Sequence, residues 1–206
     1  MHDGLMGLFL YAEKGRCEAG VDEAGRGCLA GPVTAAAVIP GPAGQRWVDC
    51  GLNDSKTLTS SSRTRLRSMI EEEALAWSVG WASEREIEAL NILHATHLAM
   101  HRAVDGLKLR PAFLLIDGNR FREHEIPHSC EVKGDGRFLS IAAASVLAKT
   151  HRDAHMLELS RQHPRYGWSK NKGYPTRAHR EAISNYGTTA FHRRTFKGAQ
   201  GLLFED

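Results

Sequence analysis

Residues 112–116 read AFLLI, five apolar residues in succession, with Asp117 and Gly118 directly after them. A short run that is apolar at every position fits a strand covered on both faces, because a strand with one wet face alternates. Such a strand needs other elements packed above and below it. Residues 20–24 and 33–39 also read as strands, joined by a glycine-rich turn, and 77–82 and 130–132 as shorter ones. Between them lie helical stretches. Residues 60–76 start with serines suited to N-capping. Residues 84–107 place Ile87, Leu90, Leu93, His97, Met100 and Val104 near helical spacing. Residues 139–159 are rich in alanine, and the small residues of 141–148 suit a helix packed closely on a sheet. A last helix, 176–186, follows Pro175, while Pro40 to Gly44 breaks the pattern. Strands alternating with helices define the α/β class.

The chain has 206 residues, 42% hydrophobic and 25% charged, which fits one globular domain. No apolar run is long enough to span a bilayer. Residues 5–12 are mostly apolar but lack a preceding basic region and a following small-residue cleavage site, so no signal peptide is expected. Four scattered cysteines without a C-x-x-C pair read as reduced thiols of a cytoplasmic protein. The charge is uneven. Residues 161–197 hold nine Lys or Arg and one acid, Glu181, interleaved with Tyr166, Trp168, Tyr174, Phe191 and Phe196. Basic charge attracts phosphates, and aromatic faces suit sugars or bases. A solvated helix surface over a few core aromatics is the other reading.

Many acids fall in the helical stretches, and four outside them stand at strand ends or just before a helix. Asp22 and Glu23 end the first strand, Asp117 ends AFLLI, and Asp135 lies in KGDG just before the alanine-rich helix. Strand ends and helix starts converge at one edge of an α/β sheet. Converging carboxylates repel unless cations lie among them, and oxygen ligands favour Mg²⁺ or Mn²⁺. Two such ions ~4 Å apart clamp the attacking and leaving oxygens in phosphodiester hydrolysis. Taken singly, Asp117-Gly118 also reads as a turn and Asp135 as an N-cap. Neighbouring strand residues point to opposite faces, so Asp22 is the expected central ligand and Glu23 must reach around.

The stretches DEAGRGCLAGPV, NDSKTLT, LLIDGN, VKGDGRFLSIAAASVLAKTHRD and NKGYPT, in this order, resemble ribonuclease HII, the type 2 ribonuclease H of bacteria. The resemblance runs from about residue 20 to about residue 197. It implies an RNase H-like mixed sheet flanked by helices, with a C-terminal helical segment, an extension over 1–19 and a tail over 198–206. It implies cleavage of RNA in RNA–DNA hybrids and nicking 5′ of a single ribonucleotide in duplex DNA, leaving a 3′-hydroxyl and a 5′-phosphate. The family's catalytic and metal-binding acids fall on Asp22, Glu23, Asp117 and Asp135, with two divalent cations, Mg²⁺ or Mn²⁺. Its Gly-Arg-Gly falls on Gly25, Arg26 and Gly27, where backbone groups are expected to reach the ribose 2′-hydroxyl and Arg26 a phosphate. Lys56 is a second expected phosphate contact. Tyr174, the family's substrate tyrosine, is expected to stack on the deoxyribose after the ribonucleotide.

Another RNase H-like nuclease of resolvase or integrase type, or a catalytically silent nucleic-acid binder, are the rival readings. Cleavage of all-DNA duplex favours the first, and four intact acids argue against the second. His94, His97 and His101 share helical spacing, as do His151 and His155, but without a closed ligand set they read as surface or packing histidines. A monomer without a membrane partner is expected. In the tail, Gln200, Leu203 and Phe204 resemble the short peptides that dock bacterial repair proteins on the replication sliding clamp, although folding back onto the core is the competing reading.

Overall fold

A computed structural model describes residues 7–53 and 58–199. Five strands form one sheet in the order β3-β2-β1-β4-β5: β1 Glu18–Ala24, β2 Val33–Ile39, β3 Ala76–Ala82, β4 Phe113–Asp117 and β5 His128–Glu131. The first three pair antiparallel, from Gly20↔Val38 to Ala24↔Thr34 and from Val33↔Ala82 to Ile39↔Ala76. β4 lies parallel to both β1 and β5. The mixed sheet expected from the sequence is therefore present, and AFLLI supplies its covered strand, with Leu114, Leu115 and Ile116 almost wholly buried.

Helices cover both faces. α1 is Gly44–Asp49, α2 Ser60–Glu73, α3 Glu84–Asp105, α4 Leu139–Gln162, α5 Trp168–Asn171 and α6 Arg177–Tyr186. Residues of α3, including Ile87, Ala95, Ala99 and Met100, pack on Val21, Val33, Ala35 and Ala37 of one sheet face. The other face, Ala36 and Val38, meets Leu139, Ala142, Ala143, Val146 and Leu147 of α4, with Leu66 and Ile70 of α2 outside them. The alternation along β2 thus feeds two different cores. Small residues are needed where layers approach. A Cβ on Gly20 would lie 2.1 Å from the backbone of Ser140, so α4 rests directly on β1.

Several boundaries differ from the sequence reading. β1 begins at Glu18, whose buried carboxylate accepts the N–H groups of Ala12 and Glu13 at 2.7 and 2.9 Å. β5 is shifted to His128–Glu131, and Val132 is exposed. α1 starts where the break read over Pro40 to Gly44 ends, in a stretch to which the sequence reading assigned no element. α3 is two helical segments meeting at Asn91, where φ is 67° and ψ is 166°. The Asn91 Oδ1 accepts the N–H groups of Leu93 and His94 at 3.0 and 3.2 Å, capping the second segment. α4 runs three residues further than expected, to Gln162.

The C-terminal helices pack Tyr166, Trp168, Ala182 and Ile183 against Met156 and Leu159 of α4 and against Leu29 and Ala30. Tyr166 and Trp168 stack on each other at 5.2 Å and are buried, so they serve the core rather than a ligand. Of the six aromatics in the basic stretch, Tyr174 and Tyr186 are exposed, and Tyr174 is the one that borders the acids. No helix among the described residues is long and apolar enough to cross a membrane.

Candidate active site

The pairing of β1 with β4 ends at Val21↔Ile116. The next residue on β1 is Asp22, and the last residue of β4 is Asp117. Parallel strands finish at the same sheet edge, so this register delivers both carboxylates to one place. There they line a cavity of about 410 Å³ together with Glu23, the Gly25-Arg26-Gly27 turn and Tyr174. Strand alternation holds even here. Asp22 faces α4, whose Ser145 hydrogen-bonds its carboxylate. Glu23 also borders a small cleft beside Thr96, His97 and Met100 of α3 on the opposite face. Both side chains nevertheless border the acid cavity, where the pairing of β1 with β4 has already ended.

Asp135 is buried in the 3-10 turn Gly134–Gly136 before α4. It does not line the acid cavity. The turn is nevertheless tied to the site, since the N–H of Gly134 donates to Asp117 Oδ1 at 2.8 Å. Lys56, Gln200, Leu203 and Phe204 lie outside the described residues.

Burial, then the negative charges of Glu23 and Asp117, hold the Asp22 carboxyl well above the usual carboxylate range. Hydrogen bonds from Ser145 and from the Glu23 N–H, at 2.6 Å, oppose that rise. As placed, no three His, Cys, Asp or Glu side chains among the described residues close on a common metal position. The donor set itself is all oxygen and includes a carboxylate whose ionisation the other two disfavour. That chemistry fits a hard divalent cation.

Three further wall residues escaped the sequence reading: Arg63 of α2, and Ser145 and Lys149 of α4. Ser145 and Lys149 stand four apart, so they share a face of an otherwise apolar helical run; that polar pair was the available signal. Lys149 Nζ pairs with Asp153 at 2.8 Å and lies 5.2 Å from the centre of the Tyr174 ring. Arg26 pairs with Glu23 at 3.1 Å.

The turn is fixed from behind by two buried arginines. Arg152 donates to the carbonyls of Pro32, Lys172 and Ala30, each at 2.9 Å. Arg193 donates to Gly31 at 2.9 Å and Arg26 at 2.8 Å. Burial pushes the Arg193 guanidinium down to about 10, which leaves it charged at neutral pH. The Leu29 N–H also donates to Gly173 at 2.8 Å, joining the glycine turn to the segment carrying Tyr174. The glycine turn and the segment carrying Tyr174 are therefore one cross-linked unit.

His151, His155, His179 and His192 serve packing. His151 bonds Glu71 at 2.8 Å and lies against Trp77, and His155 lies against Trp81. His179 and His192 are buried, with Nε2 atoms 3.3 Å apart.

A mixed sheet that brings acids to the ends of two adjacent parallel strands, beside a glycine turn and basic residues, defines a nuclease of the RNase H class. The family model for Ribonuclease HII matches residues 19–199. The Ribonuclease HII of Parabacteroides distasonis is 58% identical over 190 residues, which are 92% of this chain and 94% of that protein. That of Porphyromonas gingivalis is 54% identical over 192 residues, 93% and 94% of the two chains. The crystal structure of the ribonuclease H2 from Pyrococcus horikoshii superposes with a TM-score of 0.74 at 26% identity, covering 89% of this chain and 95% of that one. Bst-RNase HIII in complex with Mn²⁺ shares the fold with a TM-score of 0.73 at 20% identity, covering 90% of this chain and 68% of that one. The chain belongs to the ribonuclease HII family and is an endoribonuclease that acts on RNA–DNA hybrids.

Proposed function

We propose that this endoribonuclease also nicks duplex DNA on the 5′ side of a single embedded ribonucleotide, leaving a 3′-hydroxyl and a 5′-phosphate. The observation that carries the reading is the single cavity walled by Asp22, Glu23 and Asp117, by Gly25 to Gly27, and by Tyr174. Asp22, Glu23 and Asp117, with Asp135 behind Asp117, would hold two divalent cations, Mg²⁺ or Mn²⁺; Bst-RNase HIII has been solved with Mn²⁺. When bound, such ions supply Lewis acidity for the attacking water and the leaving oxygen.

The chain's own groups do the recognising. Gly27 has open space where a Cβ would stand, so a ribose approaches its backbone closely, and the backbone of the turn meets the 2′-hydroxyl. Arg26 exchanges Glu23 for a phosphate, and Arg63, Lys149 and Lys56 hold neighbouring phosphates. Tyr174 stacks on the deoxyribose that follows, so a junction is preferred to a uniform hybrid. The cross-linked turn and Tyr174 segment arrive preorganised, and ordering them costs the bound state little.

The test is divalent-metal-dependent nicking of a duplex with one ribonucleotide, beside the all-DNA duplex and a uniform hybrid. Nicking at the junction with DNA left intact is expected. Equal cleavage of all-DNA duplex would overturn the reading.

We further propose that Gln200, Leu203 and Phe204 dock on the sliding clamp. A ribonuclease HII of Archaeoglobus fulgidus has been solved as a PCNA complex, at 23% identity to this chain with a TM-score of 0.74. Deleting residues 200–206 should abolish clamp binding and leave nicking of short duplexes unchanged; clamp binding by the truncated protein would overturn this.

A further inference from the structure

A second and larger cavity, about 990 Å³, opens between the second segment of α3 and the loop after β4. That volume lies within the range of small-molecule pockets, about 300–1,000 Å³. His94, His97 and His101 of α3 form one wall, and Arg120, Phe121 and Arg122 form the other. The Phe121 ring lies 4.9 Å from His101 and 6.0 Å from His97, and His128 stands edge-on to it at 5.1 Å. His101 Nε2 lies 3.3 Å from the Arg122 carbonyl, which fixes ring against loop. The wall is thus aromatic with two guanidinium groups, and it contains no acid.

The cavity leads to the catalytic acids. His97, Asn119 and Arg120 line it and also line the small cleft that holds Glu23, Arg26 and Asp117. Tyr174 borders the acid cavity but neither of these two. The aromatic cavity and Tyr174 therefore flank the acids from different sides. The second segment of α3 starts just after the kink at Asn91, and it carries Leu93 of the small cleft and the three histidines of the larger cavity. A side chain other than glycine at φ 67° and ψ 166° is costly and persists where surrounding structure fixes it.

We propose that this cavity is a nucleobase subsite, which takes an unpaired base of the cleaved strand 5′ of the scissile phosphate. Phe121 and the imidazoles supply stacking faces, and Arg120 and Arg122 hold the adjoining phosphates. Aromatic rings interleaved with cations are the physical requirements of single-strand binding. Burial holds His97 and His101 below their usual range, so both present neutral rings at neutral pH. The assignment of the 5′ side rests on the proposed placement of Tyr174 on the 3′ side. Continuity with the catalytic acids and the acid-free, arginine-bearing wall favour a nucleic-acid occupant over a protein.

The test uses the full chain carrying Asp22→Asn to suppress cleavage. Two duplexes each contain one ribonucleotide; one is fully paired, and the other has two unpaired nucleotides immediately 5′ of it, the first being 2-aminopurine. Binding should quench the 2-aminopurine fluorescence. Phe121→Leu keeps the apolar bulk without a π-face, and it should abolish the quench and weaken the unpaired duplex about tenfold, the loss expected for one stacked base. Arg122→Gln should weaken the same duplex, and neither variant should alter affinity for the paired one. An absent quench, or equal weakening of both duplexes, would overturn the subsite. An unpaired region that protects 2-aminopurine equally when placed 3′ would also overturn it. Nicking of the paired duplex by the otherwise native chain reports separately on the proposed junction activity, so the two readings fail independently.

Discussion

Gly25 and Gly27 belong to one short motif, yet the structure assigns them different duties. Gly25 has φ +90°, and a Cβ there would lie 2.0 Å from Arg152 Nε. Arg152 has no room to swing away, because it is buried and its guanidinium holds three loop carbonyls at 2.9 Å. Gly25→Ala therefore combines a left-handed backbone penalty of about 1–2 kcal/mol with the loss of charged hydrogen bonds worth about 1.5–3 kcal/mol each. With one or two of those bonds broken, the total is about 3–8 kcal/mol, a large part of the ~5–15 kcal/mol that holds a typical domain together. Gly27→Ala has neither problem, since nothing lies within 4 Å of its Cβ and its φ is ordinary. It should leave stability within about 0.5 kcal/mol and still impair nicking, because the added methyl occupies the space offered to the ribose. Urea denaturation of both variants, with single-turnover nicking of a one-ribonucleotide duplex, separates the effects. A Gly25→Ala protein as stable as the parent, or a Gly27→Ala protein with unchanged nicking, would refute the reasoning.

Asp22→Asn should remove cleavage at saturating Mg²⁺ while raising the metal-free melting temperature, because it deletes a buried charge among like charges; near-normal turnover would dismiss the metal-site assignment. Tyr174→Ala should reduce nicking at single ribonucleotides more than it reduces duplex binding, whereas Lys170→Ala or Arg194→Ala should weaken all duplexes and flatten the salt dependence by about one charge each; filter binding across salt concentrations checks the contrast. Burial, then His179 and His163, pushes His192 from 6.5 down to about 4. The unfolded chain binds that proton more readily, so the contribution is full above about pH 6.5 and is lost as pH falls toward 4, about 3 kcal/mol in all. Urea midpoints of the parent should fall more steeply over that window than those of His192→Gln, and parallel curves would contradict it.

The sequence by itself determined the α/β class, the covered strand at AFLLI, the alanine-rich helix against the sheet and the positions of Asp22, Glu23 and Asp117. Each of these is written in contiguous residues: an apolar run, a helical period, an acid at the end of a strand. The tertiary structure decided what depends on partners distant in the chain. Arg152 reads as one more charge on a helix, yet it is buried, because carbonyls of a loop 120 residues away satisfy it. For Tyr166 and Trp168 the sequence left open a ligand face or the core, and the packing places both in the core. Ser145, Lys149 and Arg63 became cavity walls only once α4 and α2 were laid on the sheet. The break in α3 depends on the side chain of Asn91 capping its own helix, and helical spacing continues through it unmarked. A periodic pattern records which face of an element is buried, while the packing of distant elements sets what that face meets and where polar groups find their partners.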